Sequence, residues 1–124
     1  DTDTKNRVVI TGAVTIDELA ALYSEATVFC YPSLLEGFGL PVLEAMSYRT
    51  PVVTSKGTST EEVAGDAALA IDPNSVDDLA DALRAVLSDQ RFAQELAQRG
   101  YERSTAFSWD RAASATVAVY RSLL

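Results

Sequence analysis

Apolar residues fall along the chain in two rhythms. Short, nearly continuous runs occur at Val8-Val9-Ile10, Thr27 to Tyr31, Pro51-Val52-Val53 and Ala67 to Ile71. Runs of this kind suit strands of a parallel sheet covered on both faces. Between and after them, apolar residues return every three or four positions, the spacing of helices with one buried face. Thr15 and Glu18 stand at capping-box spacing, ahead of a stripe of Leu19, Leu22, Tyr23 and Ala26. Tyr23 is read as a core residue. A second helix opens at Pro41 and runs to about Tyr48, with Leu40, Leu43 and Met46 or Ser47 on its inner side. Ser75 with Asp78 starts a third, whose face is Val76, Leu79, Leu83, Val86 and Leu87. Ser88 or Asp89 starts a fourth, which carries Phe92 and Leu96 past Gly100 toward Ser104. Ser108 caps the last, with a stripe of Trp109, Ala112, Thr116, Val119, Tyr120 and Leu123. Asp1 to Arg7 is polar and expected to fray. Strands alternating with helices define an α/β fold.

The most informative stretch is Pro32 to Ala45, where the run ending at Tyr31 gives way to a loop with Gly37 and Gly39 and then a helix start at Pro41. Proline suits a first helical position because its missing N–H costs nothing there. Ligands of α/β proteins bind at the carboxyl ends of parallel strands, which is where such a loop lies. The first N–H groups of a helix lack internal partners, and the helix dipole makes that end attractive to phosphate. Gly37 and Gly39 have no Cβ, so the backbone can approach a ligand closely or take positive φ. Glu36 precedes the helix and Glu44 lies about one turn inside it, leaning back toward the loop. Carboxylates repel phosphate and accept hydrogen bonds from hydroxyls. A ligand with phosphate in the middle and sugars on either side meets both demands.

Composition narrows the field. At 124 residues, with 48% hydrophobic and 23% charged side chains, the chain is about one globular domain. No apolar run approaches the ~20 residues that span a bilayer, and Asp1-Thr2-Asp3-Thr4-Lys5 does not resemble a signal peptide. The expected location is cytoplasmic, or the cytoplasmic face of a membrane for a full-length protein. A single cysteine, Cys30, excludes an internal disulfide and reads as a buried free thiol. The absence of histidine removes Ser-His and Cys-His catalysis and most zinc sites. A net charge of −8 argues against nucleic acid as a partner. Lys56, in the loop Ser55 to Thr60, is read as a solvated loop lysine, with a phosphate or acceptor contact as the alternative.

Glu36 and Glu44, with Gly37-Phe38-Gly39-Leu40-Pro41 between them, resemble the E-x7-E signature of retaining, nucleotide-sugar-dependent glycosyltransferases of the GT-B fold, family 4 (group 1). Val8 to Gly12, Ala26 to Phe29, Pro51 to Val53, Glu62 to Asp66 and Phe107-Ser108-Trp109 resemble further family blocks, in family order. The resemblance implies a Rossmann-like parallel sheet with flanking helices. Residues 1–124 would be a single partial domain, the donor-binding half without its first strands. It implies transfer of a hexosyl unit from a nucleoside diphosphate sugar to an acceptor, without metal or any cofactor besides that substrate. By analogy Glu36 is the catalytic-site carboxylate and, with the backbone of Gly37, Phe38 and Gly39, grips the donor sugar. The amides of Gly39 and Leu40 receive the diphosphate, and Glu44 the ribose. The loop Gly12-Ala13-Val14 would lie near the base, or serve only as a strand-to-helix turn. Family members usually carry glycine where this chain has Arg49, so Arg49 either bears modest strain or ends the helix differently.

The family's Arg and Lys for the diphosphate belong to an earlier stretch, and its acceptor domain precedes that. Neither is present in this sequence. The fragment alone is therefore expected to be inactive. Its first strand would either pair with the second directly, or the sheet would be completed by dimerisation through the open edge. The terminal stripe offers another association surface. Two other readings remain: a non-catalytic binding or assembly module that kept the fold, and a nucleotide-sugar epimerase, which would be expected to carry histidines.

Overall fold

The structure, a computed structural model, describes residues 2–124, so the expectation for Asp1 lies outside the described residues. In chain order the elements are α1 (Thr2–Lys5), α2 (Ile16–Glu25), β1 (Phe29–Tyr31), α3 (Leu40–Ser47), β2 (Val52–Ser55) and α4 (Ser59–Ala64). A 3-10 turn (Gly65–Ala67), β3 (Leu69–Ile71), α5 (Val76–Ser88), α6 (Gln90–Ser104) and α7 (Trp109–Ser122) follow. The sheet is parallel with order β1-β2-β3, and Phe29 faces Val52 while Val53 faces Leu69. Central β2 is buried throughout.

Side chains alternate across a strand, so the sheet builds two cores. Val52 joins Tyr23, Val42, Ala45, Met46, Ala64 and Ala67 on one face, with Phe29 and Tyr31 packed against them. Val53 joins Ile71, Ala82, Val86 and Leu96 on the other, with Cys30 and Leu69 alongside. The two faces bring helices to both sides of the sheet.

Local signals hold where they are self-contained. Thr15 and Glu18 form the capping box, Ser75 caps α5 through the Asp78 amide, and Ser108 caps α7 through that of Arg111. Asp89, one of the two candidates, caps α6 by accepting from Phe92 N–H.

Several expectations are corrected. Val8-Val9-Ile10 forms no strand, and Val9 and Ile10 are 82% and 91% exposed. A strand gains its ladder only from a neighbour, and β1 pairs with β2 alone, so direct pairing of the first apolar run with β1 does not occur. The polar start is not wholly frayed, since α1 occupies Thr2–Lys5. The inner side of α3 is Val42, Ala45 and Met46, while Leu40 is exposed. Tyr23 is the buried member of the α2 stripe, and Leu22 is exposed. In α5 the buried positions are Ala82 and Val86, with Val76 and Leu87 outside. Cys30 is only half-buried, and partial burial pushes its thiol pKa up. The α7 stripe is exposed as anticipated, with Trp109 at 82%.

Arg49 ends α3 in the left-handed region at φ 60°, the conformation a glycine would take without strain. Its guanidinium lies 3.7 Å from the centroid of Tyr101 and donates to Gln98 Oε1, both on α6. A left-handed side chain costs about 1–2 kcal/mol, and an exposed cation–π contact returns about 0.5–1 kcal/mol. Arg49→Gly is therefore expected to change the unfolding free energy by less than about 1.5 kcal/mol. Urea denaturation checks this.

Candidate functional site

Tyr31 ends β1, and Pro32 turns the chain out of the sheet into the loop that reaches α3. The Glu36 carboxylate faces back onto the strand end. Its Oε1 accepts from Tyr31 Oη at 2.6 Å and from Ser33 Oγ at 3.0 Å. Those bonds, the tyrosine's foremost, hold the Glu36 pKa below the usual carboxylate value, and the same contact raises that of Tyr31. The backbone is fixed from the other side, where Ser59 Oγ donates to the Glu36 carbonyl at 2.8 Å.

Gly39 makes the turn into α3 as its N-cap, at φ 98° and ψ 44°. A Cβ there would stand 2.7 Å from Thr60 Cγ2. Thr60 is itself buried and held by Thr54 Oγ1 at 2.8 Å and Thr58 Oγ1 at 2.7 Å. The turn thus rests on a hydroxyl cluster from β2 and α4. Among the described residues, the amides of Gly37, Phe38, Gly39 and Leu40 donate to no acceptor. Pro41 follows without an N–H. These donors lie at the amino end of α3, where the helix dipole favours an anion.

Glu44 is on α3, and its Oε2 accepts from Tyr23 Oη of α2 at 3.0 Å. Burial, followed by the Glu44 contact, pushes the Tyr23 phenol up to about 12. The two carboxylates do not touch the same residue. They are linked by a row of rings: Tyr23 meets Phe29 edge-on at 5.3 Å, and Phe29 stacks on Tyr31 at 5.8 Å. Phe38 packs edge-on against Phe107 at 5.9 Å, just beyond α6. Arg103 lies 5.0 Å from the Phe107 ring and donates to the Val63 and Glu62 carbonyls of α4.

Sequence reasoning located Glu36 through Leu40 and Glu44 on one loop and helix start, and they lie there. It missed Tyr31, Ser33, Ser59 and the threonine cluster, and it found the ring of Tyr23 without its hydroxyl. The one available signal was polar tips within otherwise apolar segments. Ala13 and Val14 line a hollow with Leu22, Glu25 and Ala26 of α2 and its end. Lys56 is exposed, and its ammonium meets no partner among the described residues.

A parallel sheet flanked by helices on both sides, with a glycine loop at the carboxyl end of a strand, defines a Rossmann-like α/β domain. The family follows from the comparison with known proteins: the chain belongs to the glycosyl transferases group 1, whose family model matches residues 1–103. It is 43% identical over 112 residues to O-antigen chain mannosyltransferase B of Escherichia coli, covering 90% of this chain and 29% of that protein. It is 41% identical to the MMP alpha-(1->4)-mannosyltransferase of Mycolicibacterium hassiacum, covering 87% and 27%. Sucrose-phosphate synthase from Thermosynechococcus elongatus superposes with a TM-score of 0.86 at 33% identity, over 98% of this chain and 31% of that one. The C-terminal domain of a group 1 glycosyl transferase from Francisella tularensis gives 0.70 at 30% identity, over 78% and 51%. The fold is accordingly that of part of a GT-B C-terminal domain. The chain spans less than a third of the length of the curated relatives named here. No described helix is long and apolar enough to cross a membrane.

Proposed function

We propose that this chain is the donor-binding part of a retaining glycosyltransferase, which moves a hexosyl unit from a nucleoside diphosphate sugar to an acceptor. The observation that carries this is the row of unpartnered amides at Gly37 to Leu40, set between two carboxylates that are each oriented by a tyrosine hydroxyl. Glu36, with the backbone of Gly37, Phe38 and Gly39, receives the sugar hydroxyls. The Gly39 and Leu40 amides receive the diphosphate, and Glu44 the ribose. As the bond to the sugar breaks, negative charge grows on the leaving diphosphate. Donors already in place stabilise that charge without reorganising, which lowers the barrier. The carboxylates serve as hydroxyl acceptors rather than as a glycosidase acid/base pair, which would flank the scissile bond. An acceptor domain elsewhere in a longer protein would hold the other substrate, and the reaction requires no cofactor besides the nucleotide-sugar donor. Self-association through the free edge of β1 or the α7 stripe belongs to the same proposal.

NMR titration of the chain with nucleoside diphosphates and their sugars tests the assignment. Shifts are expected to cluster at residues 36–44, and Glu44→Ala is expected to weaken nucleoside diphosphate binding about tenfold, the scale of one hydrogen bond to a charged group. If the chain alone does not respond at millimolar ligand, the rest of the protein supplies most of the affinity, and the same silence of residues 36–44 in the full-length protein would remove the donor site from this loop.

A further inference from the structure

We infer that Tyr31 and Tyr23 are positioning residues, Tyr31 aiming Glu36 at the sugar end of the donor and Tyr23 aiming Glu44 at the nucleoside end. This rests on the proposed donor site and deepens it. Each hydroxyl donates to one carboxylate, at 2.6 Å for Tyr31 and 3.0 Å for Tyr23. Each ring is anchored by packing rather than left free. Tyr23 is buried between Phe29 and Tyr48, and Tyr31 lies stacked on Phe29.

A carboxylate has several acceptor sites, and one oxygen fixed by a phenol leaves the other for a ligand hydroxyl. Glu36 Oε1 takes both Tyr31 and Ser33, so its Oε2 is the oxygen left to reach outward. Glu44 Oε2 takes Tyr23, leaving Oε1. Among the described residues no lysine or arginine pairs with either carboxylate. Their orientation therefore depends on neutral hydroxyls. A flexible glutamate on a loop or an exposed helix face would otherwise spend rotamer entropy to bind. Phe29 touches both tyrosine rings, which fixes the two supports relative to one another.

The test uses the full-length protein and calorimetric binding of a nucleoside diphosphate, its 2′-deoxyribose analogue and its sugar-bearing form. Tyr→Phe keeps each ring and its stacking. Tyr31→Phe is expected to leave the bare diphosphate within about twofold and to remove about tenfold of the added affinity of the sugar. The acidic limb of that increment should move to higher pH, because Glu36 loses the donor that lowers its pKa. Tyr23→Phe should instead weaken the diphosphate and shrink its preference for ribose over deoxyribose. The double variant Tyr31→Phe, Glu36→Gln should be no weaker for the sugar than Glu36→Gln alone. Equal losses for all ligands, or additive losses in the double variant, would overturn positioning and leave the donor site standing. If Glu36→Gln itself leaves the sugar increment intact, the donor-site reading fails at Glu36 and the inference falls with it. Unchanged melting temperatures in the Tyr→Phe variants separate these effects from loss of fold.

Discussion

Gly39→Ala is expected to destabilise the chain by about 2–5 kcal/mol and to remove nucleotide-sugar binding. The figure combines two costs: about 1–2 kcal/mol for a Cβ in the left-handed region and about 1–3 kcal/mol for forcing atoms into a packed site. The backbone sits at φ 98°, and the added carbon would meet Thr60 Cγ2 at 2.7 Å. Thr60 cannot easily swing aside, since its hydroxyl is bonded to both Thr54 and Thr58 in a buried cluster. Relief would have to come from the loop, which would lift its amides out of line with the start of α3. Gly37→Ala is the internal control. Gly37 has no positive φ, and a Cβ there would meet nothing within 4 Å. That substitution is expected to stay within about 0.5 kcal/mol, as surface changes usually do. Urea denaturation of both variants checks the stabilities, and the NMR titration checks the ligand. A Gly39→Ala protein as stable as Gly37→Ala would show that the loop relaxes freely and that the threonine cluster is not its support.

The contrast shows which parts of this fold could be read from sequence. Helix starts were legible because a cap involves residues three apart, as with Thr15 and Glu18 or Ser75 and Asp78. The loop from Glu36 to Pro41 was legible for the same reason: glycine, proline and a helix start act on their immediate neighbours. Val8-Val9-Ile10 was misread because a strand needs a partner, and among the described residues this run pairs with none. Leu40, Val76 and Leu87 were assigned to buried faces because a helical stripe gives a period without saying which flank meets the sheet. The long-range supports were beyond reach: Tyr23 meets the Glu44 carboxylate across 21 positions, and Ser59 meets the Glu36 carbonyl across 23, so only the packing of the elements brings them together.

Met46→Ala is expected to cost about 2–5 kcal/mol, the range for truncating a large side chain in a core. Met46 is fully buried, on the α3 face that packs against Tyr23, Val52 and Ala64. It also fills the space beside Gly100 of α6, where a Cβ would come within 3.2 Å of Met46 Cγ. The absent side chain at Gly100 lets α6 approach α3 closely, so removing Met46 leaves a gap that neither helix can close with a side chain of its own. A domain stability of 5–15 kcal/mol makes such a loss a large fraction of the whole. Met46→Leu conserves volume and is expected to cost less than about 1.5 kcal/mol. The two variants also separate stability from site geometry. Met46 lies two residues beyond Glu44 on the same helix, and its removal allows α3 to shift relative to Tyr23 of α2. Under conditions where both variants are folded, Met46→Ala should therefore weaken nucleoside diphosphate binding and reduce the protection of the α3 amides from hydrogen exchange, while Met46→Leu should do neither. Equal midpoints in urea for the two variants would mean that the α3–α6 contact collapses around the cavity, and the close approach at Gly100 would then not be what holds α3 in place.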